Sequence, residues 1–358
     1  MSRAQRTSRR RLITLAVAWT AAAGALAQTP AQRPAPATAA AKNSSPVPAQ
    51  RALEPAQWLE RMDQALTSRN YDGTFAHWHA GRVEMLRIVH RVQDGAVSER
   101  LASLDGSGRE FIRTGSSLSC YLPDRRTVLV EQHPPQQSLV GFPTVNDQTA
   151  SNYEIREVGR ARLNRRDTHV ITVAPKDEFR YGYRLWIDDS TAMPLKTQLC
   201  DAHGQIIEQI VFASLKLPAH IADSAFRPEV STDGFRWLRS DPALPPGAAL
   251  AWNAMRLPPG FRMTVRSSQV LPGSANVVDQ IVFTDGFASV SVFVERQTAS
   301  GDQPPVPQSA TVGSSSAFST VVDGHKITAV GEVPPATVQF IATQVKAQEP
   351  AALDPRAH

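Results

Sequence analysis

The stretch RVEMLRIVHRVQDGAVSERL, residues 82–101, decides the fold. From Val83 to Val89 apolar residues alternate with polar ones, a second run reaches Leu101, and Asp94-Gly95 lies between them. A period of two places successive side chains on opposite faces of a strand. Glycine supplies the positive φ that a tight hairpin turn requires. The segment is therefore a β-hairpin, and the same period continues on both sides of it.

Phe75, Phe111 to Ile112, Leu118 to Leu122, Val128 to Val130, His169 to Val173, Tyr181 to Ile187, Leu195 to Leu199 and Ile206 to Phe212 read as further short strands. Ala202-His203-Gly204 is a second hairpin turn. Tyr71 to Leu217 is thus a long antiparallel meander. A helix precedes it: Pro55 suits a first helical position, and Trp58, Leu59, Met62, Ala65 and Leu66 recur at helical spacing until Ser68 to Asn70.

Beyond Leu217 prolines interrupt the pattern at 218, 228, 242, 245 and 246, so residues 218–247 read as a linker. Residues 248–347 read as a smaller domain. Its strand signals are Phe261 to Val265, Val278 to Phe283, Phe287 to Val294, Phe318 to Val322 and Lys326 to Val330, with turns at Asp285-Gly286 and Asp323-Gly324. Gly301 to Gly313 is polar and proline-rich and reads as a loop. Pro334-Pro335 opens a last helix through Val338, Ile341, Ala342 and Val345, and residues 348–358 read as a disordered tail. Two strand sets, each with one helix, make an α+β protein with a large domain at 51–217 and a small one.

The N-terminus has the layout of a secretory signal peptide: five arginines, an apolar run from Leu12 to Ala23, and Ala25-Leu26-Ala27 as a cleavage site before Gln28. Ser8-Arg9-Arg10-Arg11-Leu12 touches the twin-arginine pattern, so the Sec and twin-arginine routes both stay open. The apolar run is too short to span a bilayer, and the expected location is the periplasm. Residues 28–50, rich in alanine and proline, read as a disordered leader. The formal net charge is +5, and residues 1–27 hold five arginines and no acid, so the remainder is formally neutral. That argues against a nucleic-acid partner, which needs a basic surface.

Catalytic signatures are missing: no G-x-S-x-G, H-E-x-x-H, P-loop or G-x-G-x-x-G at a strand-to-helix turn is present. No enzyme activity and no cofactor are expected. His77 and His79 share a strand face and would need a third ligand from His90 or a distant carboxylate; they read as a polar strand edge, and no metal is expected. Arg156, Arg160, Arg162, Arg165 and Arg166 read as a solvated loop, or alternatively as a clamp for phosphates or carboxylates. Cys120 and Cys200 enter an oxidising space; a bridge and two separate buried thiols both stay open. A strongly curled sheet also tends to leave a concave apolar mouth. Phe75, Leu86, Ile88, Phe111 and Tyr183 are candidates to line it for lipid, and Arg160, Arg162, Arg165 and Arg166 are candidates to meet a partner.

Several blocks resemble one family. Tyr153 with Gly159, Arg162 and Arg166, then Arg180-Tyr181-Gly182-Tyr183-Arg184-Leu185-Trp186-Ile187-Asp188, Pro194-Leu195 and Glu208-Gln209 look like the large domain of the RseB/MucB proteins. Trp252, Leu257-Pro258-Pro259-Gly260-Phe261, Asp285-Gly286-Phe287 and Val330-Gly331-Glu332-Val333-Pro334-Pro335 resemble their small domain. The resemblance implies a large domain similar to the LolA and LolB lipoprotein carriers, a curled antiparallel half-barrel with helical filling. It also implies a periplasmic negative regulator that binds the periplasmic part of a membrane-spanning anti-sigma factor and shields it from site-1 proteolysis. Lipopolysaccharide or a related acylated lipid would release it. The alternative is a periplasmic lipid or lipoprotein carrier, and homo-oligomerisation stays open.

Overall fold

The computed structural model of the chain describes residues 53–132, 138–143, 149–240, 252–270, 277–296 and 307–347. The signal peptide, the leader, the C-terminal tail, residues 241–247 of the expected linker and residues 248–251 of the expected small domain lie outside them.

The chain opens with α1 (Pro55–Ser68) and continues through β1 (Tyr71–His79), β2 (Arg82–Gln93), β3 (Ala96–Ser103), β4 (Glu110–Thr114), β5 (Ser117–Leu122) and β6 (Thr127–Gln132). After the one-turn α2 (Thr149–Asn152) come β7 (Tyr153–Leu163), β8 (Arg166–Pro175), β9 (Gly182–Asp188), β10 (Pro194–Cys200), β11 (Ile206–Lys216) and β12 (Arg236–Ser240). These make one 12-stranded sheet in the order β12-β6-β5-β4-β3-β2-β1-β11-β10-β9-β8-β7. Asp94 and Gly95 both have positive φ, 52° and 77°, the turn geometry read from the sequence.

The α1 helix starts with a capping box between Glu54 and Gln57 and buries Trp58, Leu59, Met62, Ala65 and Leu66. Phe75 and Ile88 from one half of the sheet and Ile171, Val173, Leu185 and Phe212 from the other meet that helix in a single core. The large sheet is therefore curled, with α1 on its inner face. Gly73 permits a close approach there, because a Cβ at that position would stand 2.5 Å from the Phe212 ring.

The small domain comprises β13 (Trp252–Ala254), β14 (Arg262–Val270), β15 (Val277–Thr284), β16 (Ser289–Arg296), β17 (Gln308–Val312), β18 (Ser315–Val322), β19 (His325–Gly331), α3 (Pro335–Gln344) and β20 (Val345–Ala347). Six strands form a sheet in the order β14-β15-β16-β19-β18-β17, and β13 pairs with β20. Val290, Val292 and Val294 alternate inward along β16 against Val338, Ile341 and Ala342 of α3.

Three segments differ from the sequence reading. Of the arginine-rich stretch expected to be a loop, Arg156, Arg160 and Arg162 lie on a strand, β7, at one edge of the large sheet, and Arg166 begins β8, so only Arg165 stands in a turn. The proline-interrupted stretch is a linker only in part: β12 pairs in parallel with β6, and Phe226, Val230 and Phe235 cover Ile112, Tyr121 and Val128 on the outer face. Proline breaks periodicity without preventing a short edge strand. The polar Gly301 to Gly313 stretch ends in β17, whose side chains are all exposed. Among the described residues no helix is long and apolar enough to cross a membrane.

Candidate functional site: the domain junction and the inner face

Asp285 lies in the β15–β16 turn, where its Oδ1 accepts the backbone N–H groups of Phe287 and Ala288 at 2.9 and 2.7 Å. Its Oδ2 faces the large domain. It accepts a hydrogen bond from Arg180 Nη1 at 2.6 Å and one from the Tyr153 hydroxyl at 2.9 Å. Arg180 donates further to the Pro259 carbonyl at 2.5 Å and to Asp177 Oδ1 at 3.0 Å. The guanidinium also lies over the rings of Tyr153 and Phe261. Both charged side chains are fully buried, a state tolerated only when the opposite charge and the remaining hydrogen-bonding groups are satisfied. Burial, reinforced by the Asp285 charge, pushes the Tyr153 phenol far above its ordinary value. Phe287 packs between Tyr153 and Tyr183, and Thr337 at the start of α3 donates to the Phe179 carbonyl at 2.7 Å. The small domain is thus seated on the large one through a buried ion pair.

A second contact joins the domains nearby. On β1 His77 and His79 face Glu208 of β11, with His77 Nε2 at 2.8 Å from Oε1 and His79 Nδ1 at 3.8 Å from Oε2. Ser314, between β17 and β18, donates to Glu208 Oε2 at 2.8 Å. Burial alone would raise the Glu208 carboxyl, but hydrogen bonds from His77 and Ser314 and the imidazole charges bring it below its ordinary value.

Farther along the sheet Glu99, fully buried, is paired with His90 at 3.0 Å and Arg113 at 3.3 Å. It also accepts from the Ser138 hydroxyl at 2.8 Å and the Leu139 N–H at 3.0 Å. Burial would push it up, yet these partners hold it below its ordinary value.

The lipid candidates separate into two groups. Phe75 and Ile88 are in the closed core under α1, at 1% and 0% exposure, and Leu86 and Tyr183 pack against that core from its margin. Phe111 is half-buried. The strand register aligns Ile88, Leu101, Phe111, Cys120 and Leu129 as successive cross-strand neighbours from β2 to β6. Such neighbours share a face, so an apolar row leaves the closed core at Ile88 and continues half-buried to Leu129. Single-sequence reading identified Phe111 without Leu129 as its companion, because only the register joins them.

The arginines also separate. Asn164 and Arg165 form the positive-φ turn between β7 and β8, Arg160 and Arg162 are exposed on β7, and Arg162 lies 3.9 Å from Asp167. Arg166 instead donates to the Leu215 carbonyl at 3.1 Å and lies 3.6 Å from Asp188. Cys120 and Cys200 are separate thiols on β5 and β10, with β4, β3, β2, β1 and β11 between them in the sheet. Burial pushes the Cys120 thiol up to about 11.

Two family models match most of the described residues: the MucB/RseB N-terminal domain matches residues 54–230, and the MucB/RseB C-terminal domain matches residues 246–346. The chain belongs to the MucB/RseB family. It is 32% identical to the sigma factor AlgU regulatory protein MucB of Pseudomonas aeruginosa, over 84% of this chain and 93% of that protein. It is 30% identical to the sigma-E factor regulatory protein RseB of Escherichia coli K12, over 85% of this chain and 92% of that one. Among solved structures, MucB in complex with MucA(peri) matches with a TM-score of 0.63 at 28% identity, covering 83% of this chain and all of that one. The buried pair thus joins the two regions matched by the two family domains, with Arg180 in the first and Asp285 in the second.

Proposed function

We propose that this MucB/RseB-family chain is a periplasmic negative regulator of an envelope-stress sigma factor. It holds the periplasmic segment of a membrane-spanning anti-sigma factor, keeps the site-1 protease away from it, and releases it when an acylated lipid such as lipopolysaccharide binds. The chain reaches the periplasm by cleavage after Ala27 and acts by binding, without catalysis. The observation that carries the reading is the likeness to MucB solved with MucA(peri), which extends over both domains.

The fixed seating of the domains supports a binding surface shared by both, since Arg180 and Asp285 hold them in one relation. The curled sheet around α1 is the LolA-like half-barrel with its helical filling. The half-buried row from Leu101 to Leu129 is where acyl chains would lie, with Phe111 at its middle. Phe75 and Ile88 would be reached only if α1 yields. A carrier would need only the large domain, and a small domain bound through a buried ion pair favours the regulator.

Isothermal titration of the mature chain with a synthetic anti-sigma periplasmic segment tests the proposal, together with digestion of that segment by its site-1 protease. Saturable binding that slows cleavage is expected, with acylated lipid competing and its deacylated head group not. Absence of binding to folded protein would refute the regulator reading. Binding unaffected by saturating lipid would leave a protease shield without a lipid sensor.

A further inference from the structure

We propose that His77, His79 and Glu208 form a binding site for a divalent transition-metal ion of the zinc class at the junction of the two domains. Two imidazoles and one carboxylate are a donor set that zinc accepts, with a fourth position left for water or another oxygen. The strand geometry brings them together. His77 and His79 are two residues apart on β1, so they share a face, and His79 is the direct cross-strand partner of Glu208. One ligand atom from each of the three lies within 4.8 Å of the others. Bonds of about 2.0–2.1 Å to a tetrahedral centre place ligand atoms roughly 3.3 Å apart, so closing the site needs movements of about an ångström. The His79 side chain is 37% exposed, and it is the ligand that must move farthest, its Nδ1 lying 3.8 Å from Glu208 Oε2.

Two further observations support the site. His79 Nδ1 is buried and has no hydrogen-bond partner. Ser314, donating to Glu208 Oε2, orients the carboxylate as partners of metal ligands do.

The site also reports on domain seating. A Cβ at Gly313 would stand 2.5 Å from the His79 ring, so the turn of the small domain lies directly on the imidazole. Metal binding replaces the contact between His77 Nε2 and Glu208 Oε1. Any proton held between them leaves to solvent, and binding weakens on acidification.

Titration of the tag-free mature chain with zinc chloride near neutral pH tests the proposal, with cobalt(II) absorption as a second readout. One zinc per chain, and visible bands of tetrahedral intensity with cobalt, are expected. His77→Ala, His79→Gln and Glu208→Gln should each weaken zinc binding by more than the roughly tenfold that losing an outer partner of a ligand costs. His220→Ala, at an exposed position, should leave it unchanged. Failure of the wild-type chain to bind zinc saturably overturns the proposal with no variant needed. Undiminished binding by His79→Gln and Glu208→Gln, with metal-free melting curves like that of the wild type, overturns it equally.

Discussion

Replacing Arg180 by methionine removes the cation from the junction while keeping most of the apolar stem volume. Asp285 then retains the Tyr153 hydroxyl and two backbone N–H groups, but its charge stays buried without the guanidinium that faced it at 2.6 Å. The Pro259 carbonyl loses its partner as well. Breaking a buried ion pair from one side costs about 3–5 kcal/mol, and the three surviving hydrogen bonds to Asp285 place the loss at the lower end, near 3 kcal/mol. Urea unfolding followed by tryptophan fluorescence reads it, with Trp252 buried in the small domain and Trp58 in the large one. The double variant Arg180→Met with Asp285→Asn should lose less than Arg180→Met alone, because no lone charge remains. A single-variant loss below about 1 kcal/mol, within the range of an exposed pair, would refute the view that this pair holds the domains together. So would a double variant whose loss equals the sum of the two single ones.

Glu99 has a folded-state value below its ordinary one, so its stabilisation is fully present above the unfolded value of 4.5 and is lost as pH falls through the folded value. Melting temperature measured from neutral to acid should therefore fall less steeply for Glu99→Gln, which is also less stable at neutral pH; parallel curves would contradict the pairing. Non-reduced, denatured protein should take up two alkyl groups, at Cys120 and Cys200, by intact mass, and native Cys120 should react slowly because its thiol is raised to about 11. Acylated lipid seated on the inner row should slow Cys120 alkylation further, and an unchanged rate at saturation would move the lipid elsewhere. Charge reversal at Arg160 and Arg162 should weaken binding of an acidic anti-sigma segment by at least tenfold in calorimetry, whereas Arg166→Glu should lower the melting temperature, since Arg166 is tied to Leu215 and Asp188.

What the sequence revealed follows the burial of each element. The hairpin at Asp94-Gly95 and the five buried residues of α1 were legible because one face of each element is apolar. β7 was not: the alternation at its two ends, Tyr153 with Ile155 and Ala161 with Leu163, is broken by the register shift between Glu157 and Gly159, and its exposed arginines suggest a loop. β12 was hidden by the prolines around it and by pairing in parallel with a strand far earlier in the chain. Arg180 and Asp285 both stand in blocks that resemble the family, but nothing in a single sequence pairs residues on two domains. The histidines on β1 were visible as a fragment, and Glu208 became their companion only through the β1–β11 register.

The parallel placement of β12 has a consequence for how the chain is made. Its partner β6 ends at residue 132, and β12 begins at residue 236, so during synthesis the edge stays open while roughly one hundred residues are added. Until then Ile112, Tyr121 and Val128 have no cover from Phe226, Val230 and Phe235, and an open strand edge beside an apolar face invites association with other chains. A fragment ending at Leu217 would remain in that state permanently. One extended to Ser240 would pair β6 and cover that apolar face, so the boundary of an independently folding large domain lies beyond Pro218 and Pro228 and not before them.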